Sequence, residues 1–370
     1  MERFFKETDK KTALFALAGL FLTVLMLSGC AGPHTAPPRA DTQAVHQETL
    51  EQKRLIYQRA LQDNARVTAV AFPLLAANAE FCGRNLRPMD GMSGWTLDGF
   101  PRSEQPMVHQ LFGLTNAVTL SNVVPGSPAA QAGLRAGDIL VSINGTRVGQ
   151  GQRGLRDASN LLQQTGMRPR QIHFSRGGQI RNTVVTPVQG CDYPVGIDQN
   201  DSRINAYADG RRIVITRGML RFVENDTELA LVVAHELAHN AMGHVPKKMT
   251  NALAGALGGL AVDLLLGSAG VHTGNQASQL GGQMGAMSHS VAFEQEADYV
   301  GMYFMARAGF ETGNVAPFWR RMAVEQGDAA VEIRRTHPTS PERFVAINAT
   351  HQEIQAKKRG GQPLAPNLRR

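Results

Sequence analysis

The five residues HELAH, from His235 to His239, constrain this chain more than any other stretch, because they combine a helical pattern with a chemical one. The surrounding sequence predicts a helix from about Thr227 to beyond His244. Positions i and i+4 share a helix face, so His235 and His239 can reach one metal ion while Glu236 lies beside a water on that ion. The alternative is an ordinary amphipathic helix that happens to carry two histidines.

A third protein ligand would distinguish these interpretations, since catalytic zinc takes three protein groups and leaves a position for water. The metzincin arrangement requires a histidine six residues after His239, where this chain has Val245. His244 comes one residue earlier and points elsewhere on the helix. In a second predicted helix, within SHSVAFEQEADYVGMYFMARAGF, Glu294 is followed one turn later by Asp298 on the same face. These two carboxylates are candidates for the missing ligand.

The set of His235, Glu236, His239, Glu294 and Asp298 resembles the zinc metallopeptidases typified by the CAAX prenyl protease and by the membrane-linked quality-control proteases of bacteria. The flanking sequences RINAYADGRRIVITRGML, GMYFMARAGF and THPTSPERF share the resemblance. It implies a compact, mostly helical gluzincin domain with a small β-sheet.

The resemblance also implies a role for each residue of the centre. His235, His239 and Glu294 would bind one Zn²⁺ per chain, and the ion would lower the pKa of a water towards ~7. Glu236 would take the proton of that water as it attacks a peptide carbonyl, and would pass it to the leaving amine.

Residues around the centre have implied supporting roles. Asp298 would fix the orientation of a histidine ligand, and His244 would be structural or would support a ligand from behind. Glu296 is predicted to face solvent. His337 and Arg343, in the THPTSPERF segment, are candidates for stabilising the oxyanion or for closing on the zinc in a latent state. The alternative for His337 is an ordinary loop histidine.

A strand pair precedes the HELAH helix. The sequence from Cys191 to Phe222 alternates like two strands joined by a turn at Asp209–Gly210. The resemblance implies that an edge strand here, at Asn205 and Ala206, holds the backbone of a polypeptide substrate.

Alternating strands and one helix from Leu111 onward resemble a PDZ domain of the bacterial protease-associated kind, over about residues 108–188. The residues that carry the resemblance are Gly126–Ala129, Ala132–Leu134, Gly137–Ile139 and Ile143–Gly145. A PDZ domain implies a groove between a strand and a helix that takes an extended peptide by strand addition. The loop that would bind a peptide carboxylate is predicted at Phe112, Gly113 and Leu114.

The N-terminus combines basic residues, an apolar run and Leu-Ser-Gly-Cys, a pattern typical of a secretory signal. Leu27–Cys30 resembles the bacterial lipobox, so residues 1–29 would be removed, Cys30 lipidated, and residues 30–46 would form a flexible tether. Because Ala31 follows the cysteine, the predicted location is the periplasm-facing leaflet of the outer membrane. The alternative is an uncleaved anchor.

Two cysteines remain once Cys30 is assigned to lipid, namely Cys82 and Cys191. In an oxidising compartment they are predicted to form a disulfide, and the alternative is two buried thiols. A bond between them would join the two ends of the inserted PDZ-like unit. Residues 47–107, predicted to be helical, and residues 189–355 would then form one peptidase domain.

The formal net charge of +7 does not indicate a nucleic-acid partner, because no basic helix with interleaved aromatic residues is present. Part of the excess lies in residues 356–370, predicted to be a basic disordered tail. The Gly- and Ala-rich segment 250–288 is predicted to be either a mobile lid over the site or a helical hairpin packed on the domain.

The sequence thus predicts an α+β protein, in which a mostly helical zinc metallopeptidase domain carries an inserted PDZ-like barrel or sandwich. The predicted function is that of a lipid-anchored periplasmic zinc endopeptidase that cleaves unfolded or misassembled envelope proteins. Two alternatives stay open: a holdase or assembly factor with little turnover, and a scaffold lipoprotein whose PDZ-like groove recruits a partner. The oligomeric state is left open.

Overall fold

The computed structural model of the protein describes residues 35, 38–268, 276, 278–280, 290–327 and 341–367. The predicted signal segment 1–29, the lipidation site Cys30 and His337 lie outside the described residues. Internal contacts divide the chain into the units Met1–Lys53 and Arg54–Arg370. None of the described helices is both long enough and apolar enough to cross a membrane.

Ten helices can be followed through the described residues. They are α1 (Thr42–Ala77), α2 (Gln105–Phe112), α3 (Pro128–Gln131), α4 (Gly151–Gln164), α5 (Arg217–Phe222), α6 (Asp226–Ala241), α7 (His244–Ser268), α8 (Ser290–Arg307), α9 (Val315–Gln326) and α10 (Pro341–Arg359).

Eleven strands accompany them in the same part of the chain. They are β1 (Leu86–Met89), β2 (Met92–Trp95), β3 (Thr119–Val123), β4 (Ile139–Ile143), β5 (Thr146–Arg147), β6 (Arg170–Arg176), β7 (Gln179–Val185), β8 (Val188–Cys191), β9 (Val195–Asp198), β10 (Ala206–Ala208) and β11 (Ile213–Thr216).

The PDZ-like unit is built on an antiparallel sheet in the order β2–β3–β4–β6–β7, with β5 paired to β4. Alternate residues of β6, such as Ile172 and Phe174, enter its hydrophobic core, as the period of two in a half-buried strand requires. In the described residues the sheet keeps two edges and does not close, which corrects the predicted barrel. Strand β2 also extends the sheet beyond the predicted range of residues 108–188.

A two-stranded ladder joins the ends of this insert. Strands β1 and β8 pair antiparallel, with Leu86 opposite Cys191. The structure bonds Cys191 to Cys82, the pairing expected from the sequence, and both sulfurs are buried. The ladder and the disulfide hold the end of α1 against the chain that leaves the PDZ-like unit.

A separate core surrounds α6. From Glu228 to Asn240 every residue of this helix is buried, which is why its sequence is apolar on all sides. Helix α8, helix α9 and the second half of α1 pack around it, together with the sheet in the order β10–β11–β9. This arrangement confirms the predicted mostly helical domain with a small sheet.

The C-terminal residues are ordered by contacts rather than left as a tail. Helix α10 continues to Arg359, Lys357 Nζ donates to Ala365 O over 2.7 Å, and Asn367 N donates to Tyr299 Oη over 3.0 Å. The prediction of disorder over residues 356–370 is therefore wrong as far as Asn367.

Candidate metal centre

The helix that carries HELAH begins and ends differently from the prediction. Asn225 caps α6, since its side chain accepts a hydrogen bond from Glu228 N. The helix ends at Ala241, because Gly243 has a φ of +66°, a conformation that only glycine adopts easily. A new helix, α7, then starts at His244, so the position of His244 does not follow the residue spacing of α6 that the prediction assumed.

Three side chains converge at the centre, as the resemblance implied. Nε2 of His235 lies 3.1 Å from Nε2 of His239 and 3.2 Å from Oε2 of Glu294. Nε2 of His239 lies 3.3 Å from Oε1 of Glu294. All three residues are buried, and they form a group that could hold a metal ion.

The spacing of these atoms fits zinc. A tetrahedral ion with ligand bonds of about 2.0–2.1 Å places its ligand atoms about 3.3 Å apart, close to the separations of 3.1–3.3 Å found here. Two ring nitrogens and a carboxylate at such distances in a buried site repel one another unless a cation neutralises them. His235, His239 and Glu294 are therefore suited in number, chemistry and geometry to one Zn²⁺.

His235 is oriented by a carboxylate on its other nitrogen. Its Nδ1 lies 3.1 Å from Oδ1 of Asp298, so Nδ1–H faces the carboxylate and Nε2 is left with its lone pair. Arg343 holds Asp298 in turn through Nε to Oδ2 at 2.8 Å and Nη2 to Oδ1 at 2.9 Å. Burial would raise the pKa of Asp298, but the Arg343 charge and the His235 contact hold it below its usual value.

Arg343 supports the centre from behind His235. Its side chain is almost fully buried, and its guanidinium stacks over the ring of Trp319 at 5.2 Å. Trp319, on α9, also packs edge-on against His235, with ring centroids 5.1 Å apart. Arg343 therefore braces the carboxylate behind His235, and its role at an oxyanion or in a latent state stays a prediction. Trp319 could not be found from the sequence, because nothing in its local pattern ties it to HELAH.

His239 has a matching support from the start of α7. Its Nδ1 lies 2.9 Å from Nδ1 of His244, whose Nε2 lies 2.9 Å from Oε2 of Glu296. Burial lowers the pKa of His244 to about 4, so its ring is neutral near neutral pH. A neutral His244 that donates to Glu296 accepts the Nδ1–H of His239, which leaves Nε2 of His239 with its lone pair. Glu296 is exposed, as predicted, and it also contacts His244, a role that sequence reasoning missed.

Glu236 follows His235 directly on α6 and is also buried, with 2% of its surface exposed. Its charge acts on His239, where it favours the protonated ring, so Glu236 lies close to the three converging side chains. His337, the other candidate for a catalytic role, lies outside the described residues.

Close approach of α6 and α8 brings the two halves of the centre together. A Cβ atom on Gly301 would lie 3.2 Å from the backbone of Ala234 and from Cα of His235. The absence of a side chain at Gly301 therefore sets the spacing at which Glu294 and Asp298, on the same helix, reach His235.

The β10–β11 hairpin is fixed beside the centre. Asn240, the residue after His239, accepts a hydrogen bond from Gly210 N over 2.9 Å and donates to Arg212 O over 3.2 Å. Strand β10 is the end strand of its three-stranded sheet and packs against α6. The predicted substrate residues Asn205 and Ala206 lie at its start, next to the helix that carries the histidines.

The residues predicted for the PDZ carboxylate loop do not lead into an edge strand of the sheet. Gly113 ends α2 with a φ of +64°, and the ring of Phe112 packs against Trp95 and Tyr57, with centroids 5.9 and 6.3 Å away. Leu114 is buried in the described fold. The strand that lies at the edge of the sheet and beside α4 is β2, so the residues that lead into β2 replace Phe112, Gly113 and Leu114 as the candidate loop.

Comparison with known proteins agrees with both units. Residues 182–351 match the model of peptidase family M48, and residues 119–172 match a PDZ domain. A beta-barrel assembly-enhancing protease of Yersinia pestis is 29% identical over 39% of this chain and 32% of its own length. The mitochondrial metalloendopeptidase OMA1 of Schizosaccharomyces pombe is 28% identical over 43% of this chain and 47% of its own length.

The chain thus spans between a third and a half of the length of these two relatives. A crystal structure of the HtrA3 PDZ domain bound to a phage-derived ligand is 20% identical over 28% of this chain and 88% of that one, with a TM-score of 0.22. The converging ligand set and the two family matches lead to one conclusion: the chain contains a domain of peptidase family M48, a family of metallopeptidases, matched over residues 182–351, and a PDZ domain, matched over residues 119–172.

Proposed function

We propose that this chain is a zinc metalloendopeptidase that hydrolyses peptide bonds in unfolded or misassembled proteins of the bacterial cell envelope. The observation that carries the proposal is the convergence of His235, His239 and Glu294 on one point, with Glu236 on the same buried helix. Zn²⁺ in this site would polarise a peptide carbonyl and make a water acidic enough to attack near neutral pH.

The proton movements fall to side chains of this chain. The carboxylate of Glu236 accepts a proton from the attacking water and then donates it to the leaving amine. Asp298 and His244 keep the Nδ1 protons of His235 and His239 turned away from the centre. Arg343 and Glu296 hold those two supporting residues in place. Two residues thus hold each histidine ligand in orientation, Asp298 and Arg343 for His235, and His244 and Glu296 for His239.

Two features support polypeptides as substrates. Strand β10 is the end strand of a sheet packed beside the histidines, in a position to guide an extended backbone to the centre. The PDZ domain supplies a second place for an extended chain, of little use to an enzyme that acts on one small peptide. The names of the relatives, a beta-barrel assembly-enhancing protease and a mitochondrial metalloendopeptidase, point to the same class of substrate.

The proposal includes a location. A lipid on Cys30 would tether the chain to the periplasm-facing leaflet of the outer membrane, with residues 30–46 as the spacer. The Cys82–Cys191 bond supports an oxidising compartment such as the periplasm. We further propose that residues 189–355 and the helical segment before the insert form the peptidase domain, and that the PDZ domain includes β2 in addition to residues 108–188.

The decisive experiment is degradation of an unfolded protein by Glu236→Gln. The variant should bind zinc as the wild type does, because the three ligands are untouched, and should cut ~10²–10⁴-fold more slowly, the usual cost of losing a general base. Glu311→Gln, which replaces an exposed carboxylate, serves as the matched control and should keep full activity. A chelator should abolish cleavage and added Zn²⁺ should restore it.

Equal performance of Glu236→Gln and wild type would contradict the proposal, both in cleavage and in survival of cells under envelope stress. That outcome would favour the holdase or scaffold alternatives, in which the metal site does not turn over.

A further inference from the structure

Strand β7 (Gln179–Val185) forms the edge of the PDZ sheet that lies opposite β2. It pairs with β6 along its whole length without a shift in register. No backbone hydrogen bond joins its other side to any element of the described residues. Half of the N–H and C=O groups of such a strand point outward, so β7 presents a regular, unpaired template for another strand.

The side chains of β7 do not protect this edge. Soluble proteins commonly guard the edge of a sheet with lysine, proline or a bulge. Between Gln179 and Val185 the chain has no lysine, no acidic residue and no proline. The single charged residue, Arg181, donates from Nη2 to Oε1 of Gln179 on the same strand over 3.2 Å. The edge at β2, by contrast, carries a bulge between Ser93 and Gly94.

Exposed apolar side chains are concentrated on β7 itself. Ile180 is 63% exposed and Val184 is 58% exposed. Both lie on the face of the sheet away from its hydrophobic core, because Val185, the next residue, enters that core. The residues of β6 that pair with positions 180, 182 and 184 are all polar: Ser175, His173 and Gln171. The apolar residues of this face therefore lie at the edge of the sheet, where a partner strand would cover them.

A second copy of β7 fits this edge in one antiparallel register. With Asn182 on a two-fold axis, Ile180 of each copy lies opposite Val184 of the other, and the two Asn182 amides face each other. Arg181 then lies opposite Thr183, so no like charges are directly opposed. A slip of one residue would bring opposite faces of the two sheets together, and a slip of two would separate Ile180 from Val184.

We propose that two copies of this chain associate by antiparallel pairing of their β7 strands about Asn182, which joins their PDZ sheets into one. Both β2 edges then lie at the outer ends of the joined sheet, so the pairing leaves the groove between β2 and α4 free. The association does not depend on the metal centre or on its turnover. Two such short strands form a small interface, so we expect a dissociation constant on the order of micromolar.

Sedimentation of the full chain in excess detergent, over a series of concentrations, measures the association. Wild type should show a reversible equilibrium between monomer and dimer. Ile180→Lys combined with Val184→Lys places like charges opposite each other and should weaken the dimer by about tenfold or more. Val324→Lys, at a valine of α9 that is 80% exposed, is the matched control and should sediment as wild type does. A wild-type chain that stays monomeric far above micromolar concentrations overturns the proposal.

Swapped charges test the register. Ile180→Lys combined with Val184→Glu places opposite charges face to face on both sides of the axis, so this variant should recover the dimer that the double lysine variant loses. Both variants change the same two exposed positions, and circular dichroism checks that they fold alike. A double lysine variant that dimerises as wild type does, or a charge-swapped variant that stays monomeric, contradicts the pairing.

Cross-linking in cells identifies the partner. Residues directly opposite in an antiparallel pair have Cα atoms about 4.5–5.5 Å apart, a distance that a disulfide can span. Asn182→Cys should therefore link two copies of the chain under mild oxidation. Gln179→Cys, on the same strand but away from the axis, should not, and wild type gives the background from Cys30. Equal linkage of both variants, or linkage of Asn182→Cys to a different protein instead, would rule out a second copy as the partner of β7.

Discussion

Within the described residues two arginine–aspartate pairs are buried, one beside the metal centre and one beside β2 of the PDZ domain, and the pKa values of their carboxylates shift in opposite directions. Asp298 receives two hydrogen bonds from Arg343 and faces His235, and these contacts hold its pKa below the usual value. Burial raises the pKa of Asp90 to about 6, against the opposing charge of Arg170.

The difference lies in how each arginine uses its nitrogens. Arg343 directs both arms of its fork at Asp298. Arg170 gives Asp90 one hydrogen bond through Nη1, while its Nη2 donates to Leu162 O over 2.6 Å and to Gly166 O over 2.8 Å. Burial penalises both carboxylates, and only the one with a bidentate partner recovers the loss. The pKa of a buried, ion-paired carboxylate therefore depends on how many hydrogen bonds its arginine gives it.

The largest expected effect comes from breaking the pair at the metal centre. Asp298→Asn should lower zinc affinity by ~10–100-fold, because the proton of His235 Nδ1 loses its charged acceptor, and stability by ~3–5 kcal/mol, because Arg343 stays buried without the charge of its partner. Competition with a chelator and unfolding by urea measure the two quantities. Asp157→Asn, at an exposed carboxylate, should change neither, and unaltered zinc binding by Asp298→Asn would show that Asp298 does not orient the ligand.

Asp90, paired with Arg170, should make the free energy of unfolding depend on pH, and this effect should be of intermediate size. Because the folded pKa of Asp90 is raised from 3.8 to about 6, the folded state binds a proton that the unfolded state has lost between those values. The contribution of Asp90 to stability is therefore full below about pH 4 and falls by about 3 kcal/mol as the pH rises through 6. Asp298, with its lowered pKa, has the opposite sign: its contribution is present above pH 4 and is lost on acidification.

Urea unfolding of wild type and Asp90→Asn across this pH range isolates the contribution of Asp90. The stability difference between the two proteins should change by about 3 kcal/mol between about pH 3 and about pH 7. A difference independent of pH would contradict the prediction and would mean that the charge of Arg170 offsets the burial of Asp90 completely.

The smallest expected effect comes from changing the distance between α6 and α8, which Gly301 sets. Gly301→Ala should force α6 and α8 apart by a few tenths of an ångström and cost ~1–3 kcal/mol of stability, as overpacking of a core does. Zinc affinity should fall with it, since Glu294 and Asp298 both lie on α8. Gly196→Ala, where a Cβ meets nothing within 4 Å, is the control. If zinc affinity is the same in both variants, helix spacing does not set the geometry of the centre.

The candidate metal ligands could be predicted from the sequence, because a helix fixes which residues share a face. The period of α6 places His235 and His239 together, that of α8 places Glu294 and Asp298 together, and the resemblance to known metallopeptidases implied Glu294 as the third ligand. The disulfide partners followed in the same way from a count of cysteines, as Cys82 and Cys191 are the two left after Cys30.

Which surfaces complete these sites depends on packing between distant parts of the chain. Gly243 breaks the helix, which turns His244 back onto His239 and towards Glu296, an outcome that helical spacing could not predict. Packing alone brings Trp319 to His235, and brings residues of α1 to the cavity beside β2, from distant parts of the sequence. The PDZ groove was misplaced because β2 lies before the recognisable PDZ motifs and joins the sheet by pairing with β3. Periodicity reports the face a residue occupies on its own element, whereas the element that packs against that face is set by the whole core.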